Sequence, residues 1–249
     1  MGTDISIVVP CYNESNRFNF EYFEDLTKIK KTRWIFVNDG SSDQTSEILK
    51  AFCNKPNTLY LELPTNRGKS HAIAHGVKYI LSLNYKTTWI GFLDSDGAFA
   101  IEDIKRMLTL TNKSINRNFD AFYSSRVKLS GRKVFRSTSR HFIGRAITTI
   151  FGLFWQEIPY DTQSGFKVYK AKILTFQIFL KPFVTKWFFD IELHLRVLIS
   201  TKNKFSVWEE PLNVWKDIPD SRINGREKIK LIIEIIKVLK LLFNHKRIN

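Results

Sequence analysis

The stretch Thr87-Thr-Trp-Ile-Gly-Phe-Leu-Asp-Ser-Asp96 sets an apolar run directly before two carboxylates. An apolar run of this length between polar residues predicts a buried strand. Asp94 and Asp96 would then lie at the exposed end of that strand, where hard oxygen ligands suit Mg²⁺ or Mn²⁺ carrying a diphosphate. Taken alone, the pair is also compatible with a solvated turn or with a cap for a helix that starts near Ile101.

Three further polar segments lie at comparable places in the first half of the chain. Pro10-Cys-Tyr-Asn-Glu14 closes a first predicted strand, Asp39-Gly-Ser-Ser-Asp-Gln-Thr45 closes a second, and Asn66-Arg-Gly-Lys69 precedes a helix. Ligands of open α/β sheets bind outside the carboxyl ends of the strands. The segments together therefore predict one ligand site at one edge of a sheet.

Strand-like and helix-like segments alternate along the first half of this 249-residue chain. That alternation predicts an α/β fold with a mainly parallel sheet flanked by helices on both faces. The predicted strands are 5–10, 34–38, 58–63, 88–93 and 121–126, and the predicted helices are 45–52, 69–83, 101–110, 188–199 and 226–243. We expect one domain over 1–222 and a basic amphipathic helix within 223–249.

The chain is strongly basic, with a formal net charge of +15 and only two cysteines. Such an excess favours an acidic partner, which is a nucleotide, a nucleic acid or an anionic membrane. No nucleic-acid recognition signature accompanies the charge, so we expect no nucleic-acid partner. Few cysteines favour a reducing compartment, and we expect no signal peptide; an apolar run of ~18 residues does not occur in this sequence. We therefore expect a cytoplasmic protein, soluble or bound at a membrane surface.

The four polar segments resemble those of the family 2 glycosyltransferases of the GT-A, Rossmann-like fold, over about Ile5 to Lys240. Later motifs narrow the resemblance. Asp161-Thr-Gln-Ser-Gly-Phe-Lys167, Phe189-Asp-Ile-Glu192 and Trp215 followed by Ser221-Arg222 are similar to the polyprenyl-phosphate sugar transferases. They are most similar to the dolichyl-phosphate glucosyltransferases, with the mannosyltransferases as close relatives. The segment before Arg222 departs from the usual pattern, because Asp220 replaces a glycine.

The resemblance implies a site for a nucleotide-sugar donor. The residues that match the donor-binding positions are Pro10, Tyr12, Glu14, Asp39, Lys69, Asp94 and Ser95. The first loop would lie against base and ribose, and a helix N-terminus behind Gly68 favours anions. For Asp39 a turn or capping role remains open, because Asp-Gly-Ser-Ser is also good turn chemistry. The segment before Lys69 is likewise compatible with a simple helix-start loop.

The resemblance also implies the catalytic positions. Asp96, with Asp94, would hold Mg²⁺ or Mn²⁺, which neutralises charge on the departing nucleoside diphosphate. Asp161 would lie on the acceptor side of the sugar, where a hydroxyl acceptor needs a general base but an anionic phosphate acceptor does not. A loop-capping role for Asp161 stays open. Of the acids Asp190 and Glu192, we expect one to be functional and the other structural, because two residues apart they cannot share a helix face.

A basic segment follows, since no acid occurs between 121 and 156. Arginine suits phosphates because its planar fork binds two oxygens. The positions that match the acceptor and phosphate site are Arg126, Arg136, Arg140, Gln163, Ser164 and Arg222. A solvated basic face is the alternative, and it is most open for Arg132, Lys133 and Arg145.

The last predicted helix, 226–243, carries a narrow polar stripe and a broad apolar face. That pattern with basic flanks is typical of an interfacial membrane helix, while docking onto the protein's own core or a partner subunit is the alternative. The resemblance, together with this helix, implies an inverting, metal-dependent transferase that moves glucose from UDP-glucose to a polyprenyl phosphate at the cytoplasmic face of a membrane. A close alternative keeps the donor and uses a saccharide hydroxyl in envelope polysaccharide synthesis, with Asp161 as an indispensable base.

Overall fold

The computed structural model describes residues 4–83, 87–111, 118–135, 145, 148–149, 152, 158–186, 188–216, 234 and 236–237. The strands are β1 Ile5–Cys11, β2 Thr32–Asp39, β3 Thr58–Leu63, β4 Trp89–Leu93, β5 Ala121–Ser125, β6 Lys133–Phe135, β7 Phe166–Lys170, β8 Val207–Pro211 and β9 Val214–Lys216. The helices are α1 Phe20–Thr27, α2 Thr45–Phe52, α3 Lys69–Ser82, α4 Ile101–Leu110 and α5 Phe189–Ser200, with a 3-10 turn at Phe176–Phe179. The predicted strands and helices within these residues are therefore present.

The main sheet has seven strands in the order β3-β2-β1-β4-β7-β5-β8. Strands β3, β2, β1 and β4 are mutually parallel, and β5 pairs with β8 in parallel. Strand β7 is inserted antiparallel between β4 and β5. The sheet is thus mainly parallel, which confirms the predicted fold class, and the one reversed strand brings its first residues to the carboxyl end of β4.

The core lies on both faces of the sheet. One face packs against α3, α5 and the 3-10 turn, and the other against α1, α2 and α4. All residues of β1 and β4 are buried, as expected for strands covered on both sides. Helix α1, which the sequence did not reveal, begins behind Asn19, whose side-chain oxygen accepts the amide of Tyr22 at 3.0 Å.

A small two-stranded sheet, β6 paired in parallel with β9, lies beside the main one. Its inward residue Trp215 packs edge-on against Phe99, with ring centroids 4.9 Å apart. In the part of the chain that the structure describes, no helix is long and apolar enough to cross a membrane. The predicted C-terminal helix lies outside the described residues, apart from Glu234, Ile236 and Lys237.

Candidate active site

The carboxyl ends of β1, β2 and β4 meet at one edge of the sheet, as the polar segments predict. The parallel register sets Cys11 opposite Asn38, so the loops that follow β1 and β2 begin side by side. The loop after β4 starts from the other flank of β1. Glu14, Asp39 and Asp94 are therefore carried to the same edge by strands that hydrogen-bond to one another.

The first loop is tied directly to the Asp-Ser-Asp segment. Glu14 is buried, and the Arg17 guanidinium donates to its two carboxylate oxygens at 2.5 and 2.8 Å. The Ser95 hydroxyl also donates to Glu14, at 2.9 Å. Ser95 therefore points back into the protein and joins the two loops. Pro10 is buried at the end of β1, while Tyr12 stands half-buried in the loop.

Asp39 holds the turn that precedes α3. Its two oxygens accept the amides of Arg67 at 3.1 Å and Gly68 at 2.7 Å. Burial raises the pKa of this carboxyl, against the lowering effect of those two hydrogen bonds. Gly40 allows the arrangement, because its φ is +61° and a Cβ there would overlap the backbone of Thr65. These contacts give Asp39 a structural role at the start of α3, while its contact with a donor stays a prediction.

Lys69, the first residue of α3, pairs with Asp94 at 2.6 Å. Burial lowers the pKa of Lys69, but the charges of Asp94 and Asp190 outweigh it, so that the pKa lies above its ordinary value. On its other side Asp94 lies against Gly165, where an added Cβ would overlap the carboxylate. The Asp94 amide donates to the Gly165 carbonyl at 3.0 Å. Asp94 is therefore fixed between a cation and a glycine.

Asp96 lies in an environment with excess negative charge. Burial first, and then the neighbouring Asp94, raise its pKa to about 6. Burial and the charges of Asp96 and Asp94 likewise raise the pKa of Tyr22, whose buried hydroxyl has no hydrogen-bond partner among the described residues. A cation would relieve this repulsion, and paired carboxylates are ligands that Mg²⁺ and Mn²⁺ accept.

The part of the chain that the structure describes holds no complete set of protein ligands for a metal ion. Within the described ranges, no group of three or more His, Cys, Asp or Glu side chains stands together as a set of ligands. Asp94 and Asp96 thus fit a cation that takes its remaining ligands from a diphosphate and water, as Mg²⁺ commonly does.

Asp161 and Arg126, predicted as separate site residues, are bound to each other. The guanidinium of Arg126 donates from Nε and Nη2 to the two Asp161 oxygens at 2.7 and 2.8 Å, and its backbone amide donates at 2.9 Å. The Asp161 amide in turn donates to Glu209 at 2.8 Å. Arg126 also lies over the Trp215 ring, 5.3 Å from its centroid. The guanidinium thus neutralises this carboxylate and holds it in place, which does not favour a role as a general base.

A buried ion pair joins Lys167 and Asp190 next to Ser164. The sequence analysis did not single out this lysine. Lys167 is fully buried, and its ammonium also donates to the Ser164 carbonyl at 2.8 Å. Burial lowers the pKa of Lys167, and the charge of Asp190 opposes that shift. The available signal was one cation and one anion, each inside an otherwise apolar segment, since buried charges require partners.

Glu192 has a different task from Asp190. It accepts the backbone amides of Val184 and Thr185 at about 3 Å and pairs with Arg196 at 2.7 Å. It therefore supports the loop before α5, whereas Asp190 pairs with Lys167. The two acids thus contact different elements, while the expected functional role of one of them stays a prediction.

The remaining predicted residues lie partly within and partly outside the described part of the chain. Gln163 is half-buried and Ser164 is buried, with the Ser164 hydroxyl 2.5 Å from that of Ser124. Arg145 lies over the ring of Tyr160 at 3.9 Å, and Lys133 is exposed on β6. The predicted residues that lie outside the described part of the chain are Arg136, Arg140 and Arg222.

Comparison with known proteins bears on this geometry. The family model for glycosyl transferase family 2 matches residues 6–180. A dolichyl-phosphate beta-glucosyltransferase of Trichomonas vaginalis is 29% identical over 251 residues, which covers 94% of this chain and 72% of that protein. The human dolichyl-phosphate beta-glucosyltransferase is 27% identical over 238 residues, with 88% and 69% covered.

Solved structures share the fold at low sequence identity. Mannosyl-3-phosphoglycerate synthase from Rubrobacter xylanophilus matches with a TM-score of 0.70 at 14% identity, covering 98% of this chain and 74% of its own. Glucosyl-3-phosphoglycerate synthase from Mycobacterium tuberculosis, solved with Mn²⁺, uridine diphosphate and glucosyl-3-phosphoglycerate, matches with a TM-score of 0.61 at 15% identity, with 88% and 74% covered.

Proposed function

The chain belongs to glycosyl transferase family 2 and is a glycosyltransferase, and from this premise we propose that it transfers glucose from UDP-glucose to a polyprenyl phosphate. An oxygen of the acceptor phosphate attacks the anomeric carbon as the bond to the departing UDP breaks. The carbon is inverted in this single displacement. The similarity to the two dolichyl-phosphate beta-glucosyltransferases supports glucose as the sugar and a lipid phosphate as the acceptor.

The donor side rests on the loops tied together at Glu14, Asp39 and Ser95. Lys69 supplies a cation at the N-terminus of α3, where helix dipole and charge both favour a diphosphate. Asp94, held by Lys69 and Gly165, keeps a carboxylate beside that position. These contacts preorganise the site, since each side chain is already fixed before a ligand arrives.

Asp96, with Asp94, would hold Mg²⁺ or Mn²⁺. When bound, such a cation neutralises the charge of the leaving nucleoside diphosphate. The raised pKa of Asp96 supports this assignment, because burial and the neighbouring Asp94 both disfavour its ionised form when no cation is near. The chain's own contribution is to hold the two carboxylates at one edge of the sheet.

The Arg126–Asp161 pair is the observation that carries the choice of acceptor. Both oxygens of Asp161 are engaged by one guanidinium, at the place where a hydroxyl acceptor would require a free base. A phosphate acceptor is already anionic and needs no base, and it is attracted by arginines. The pair therefore favours a phosphate over a saccharide hydroxyl. Asp161 then orients Arg126 and the segment 161–165, here called the acceptor loop.

A donor-by-acceptor screen tests this proposal. UDP- and GDP-sugars are incubated with Mn²⁺ or Mg²⁺, with and without a polyprenyl phosphate or an oligosaccharide. Product with UDP-glucose and the lipid phosphate supports the proposal, and product with the oligosaccharide alone refutes it.

Arg136→Ala and Arg140→Ala should raise KM for the lipid phosphate far more than KM for the nucleotide sugar. Equal losses would assign these arginines to the donor, and no loss would support a solvated basic face.

The C-terminal helix would hold the protein at the cytoplasmic face of an anionic membrane. Of its described residues, Glu234 is buried and accepts the amide of Lys186 at 3.1 Å, whereas Ile236 is 48% exposed. An acid turned inward and an isoleucine turned outward support this orientation. Replacing Ile232, Ile236 and Leu239 with serine should release the protein from anionic liposomes. Unchanged sedimentation, or unfolding in a thermal melt, would make the helix a core or subunit element.

A further inference from the structure

The segment 176–186, here called the pre-α5 loop, presents large apolar side chains to solvent. Leu180 is 69% exposed, and Phe176 and Val184 are each 44% exposed. The neighbouring Ile178 and Phe179 point inward and join the core on the α3 and α5 face. The loop is therefore anchored from below while its outer surface remains apolar, and a cluster of exposed apolar residues marks an interaction surface.

The backbone of the pre-α5 loop takes its hydrogen bonds from side chains of α5. The Arg196 guanidinium donates to the carbonyls of Ile178, Lys181 and Pro182 at 2.7, 2.7 and 2.8 Å. The Glu192 carboxylate accepts the amides of Val184 and Thr185 at about 3 Å. An irregular segment enters an apolar medium at low cost only when its backbone groups are satisfied within the protein. This loop meets that requirement at five backbone positions.

The charges around the loop have one sign. No acidic residue occurs between 162 and 189, while Lys172, Lys181 and Lys186 are exposed. None of these lysines forms an ion pair with a carboxylate in the described ranges. Two acids that contact this loop, Glu192 and Glu234, are 1% and 8% exposed and hold backbone amides. The outward surface is thus apolar with a cationic rim, which complements an anionic bilayer.

We infer that the pre-α5 loop is a membrane-docking surface that inserts Leu180 and Val184 into the interface of an anionic lipid bilayer. This inference concerns a surface other than the C-terminal helix. It rests on the proposed function only for the reason that the protein would dock, which is to reach a lipid-borne acceptor. The loop leads into the first turn of α5, where Asp190 pairs with Lys167 beneath the acceptor loop. A bilayer bound here would deliver a lipid-borne phosphate close to that loop.

Vesicle flotation of the full-length protein tests the inference without any substrate. Leu180→Glu with Val184→Glu should weaken partitioning onto phosphatidylcholine–phosphatidylglycerol vesicles by at least ~10-fold, because two apolar contacts become anionic. Phe20→Glu is the matched control. Phe20 is 51% exposed at the start of α1 on the opposite sheet face, where an acid suits the helix N-terminus. This control should bind like the wild type.

A second pair of variants separates charge from apolar insertion. Lys181→Ala with Lys186→Ala should weaken binding at low salt and leave the binding that persists at high salt, since only the charge contribution is screened. If the double glutamate variant melts early, Leu180→Ser with Val184→Ser replaces it. Wild-type partitioning by a folded loop variant overturns the inference. The inference is also overturned if the wild type is a dimer, the loop variant is a monomer, and vesicle binding is unchanged. The apolar surface would then be a subunit interface.

The same variants distinguish this inference from the proposed function. Transfer to a short, water-soluble prenyl phosphate should be unchanged in Leu180→Glu with Val184→Glu, while transfer to a long-chain polyprenyl phosphate in vesicles falls with partitioning. If no prenyl phosphate accepts sugar but the loop variants still lose vesicle binding, the docking surface stands and the proposed acceptor fails. If transfer to both acceptors is normal and binding is unchanged, only the docking inference fails.

Discussion

Gly165→Ala adds one methyl group at the point where β7 begins beside Asp94. A Cβ at this position would lie 2.5 Å from Cγ of Asp94, and closer still to a carboxylate oxygen. The backbone cannot move apart easily, because the Asp94 amide donates to the Gly165 carbonyl at 3.0 Å. The carboxylate therefore has to rotate away, and its 2.6 Å ion pair with Lys69 is then lost.

The size of the effect follows from overpacking at a functional position. Forcing a methyl group into a packed site costs ~1–3 kcal/mol, and each ~1.4 kcal/mol is tenfold in rate. Because the displaced group lies at the proposed diphosphate site, kcat/KM for the nucleotide sugar should fall roughly 5- to 150-fold. The melting temperature should fall as well, by the part of this packing cost that rotation of the carboxylate does not relieve, whereas loss of the partly exposed Lys69–Asp94 pair adds little.

Initial rates at varied donor concentration, with calorimetric titration of UDP in the presence of Mn²⁺, measure this loss. Gly152→Ala is the control, because nothing lies within 4 Å of a Cβ at that position. It should leave kcat/KM unchanged. A folded Gly165→Ala protein with wild-type kcat/KM and UDP affinity would refute the reasoning that Asp94 is positioned by Gly165 for the donor.

Three further predictions concern charged groups. Asp96→Asn should lower transfer at least ~100-fold, and EDTA should abolish wild-type activity, whereas full activity in EDTA would contradict the metal role. Lys167→Met strands Asp190 without its partner and should lower the free energy of unfolding in urea by ~3–5 kcal/mol, with part regained on adding Asp190→Leu; an unchanged midpoint would contradict this. Burial lowers the pKa of His194 to about 3. Below the unfolded value of ~6.5 only the unfolded chain binds that proton, so stability falls from there toward pH 3, and His194→Phe should reduce this loss in acid melts.

The local sequence pattern was sufficient for β1 to β5, for α2 to α5 and for the position of the candidate site, but not for α1 or for β6 to β9. Strands β1 and β4 are buried on both faces, so their apolar runs were unmistakable, and α2 and α4 end where their apolar periodicity ends. Polar residues directly after such strands fall at one edge of a parallel sheet for topological reasons. Helix α1 was missed because its apolar pattern is short and, directly after Asn19, resembles a loop that contains aromatic residues.

The sequence by itself determined that carboxylates and cations meet at one sheet edge, while the tertiary structure decided which of them pair. Asp161 and Arg126, and likewise Lys167 and Asp190, are separated by many residues along the chain, and so are Asp94 and the glycine that it contacts, Gly165. These contacts exist because β7 runs antiparallel between β4 and β5, which sets Phe166 opposite Leu93. Hydrophobic periodicity reports only which face of an element is buried. It carries no information on strand order, and strand order fixes which distant charges share the low-dielectric space beneath the site.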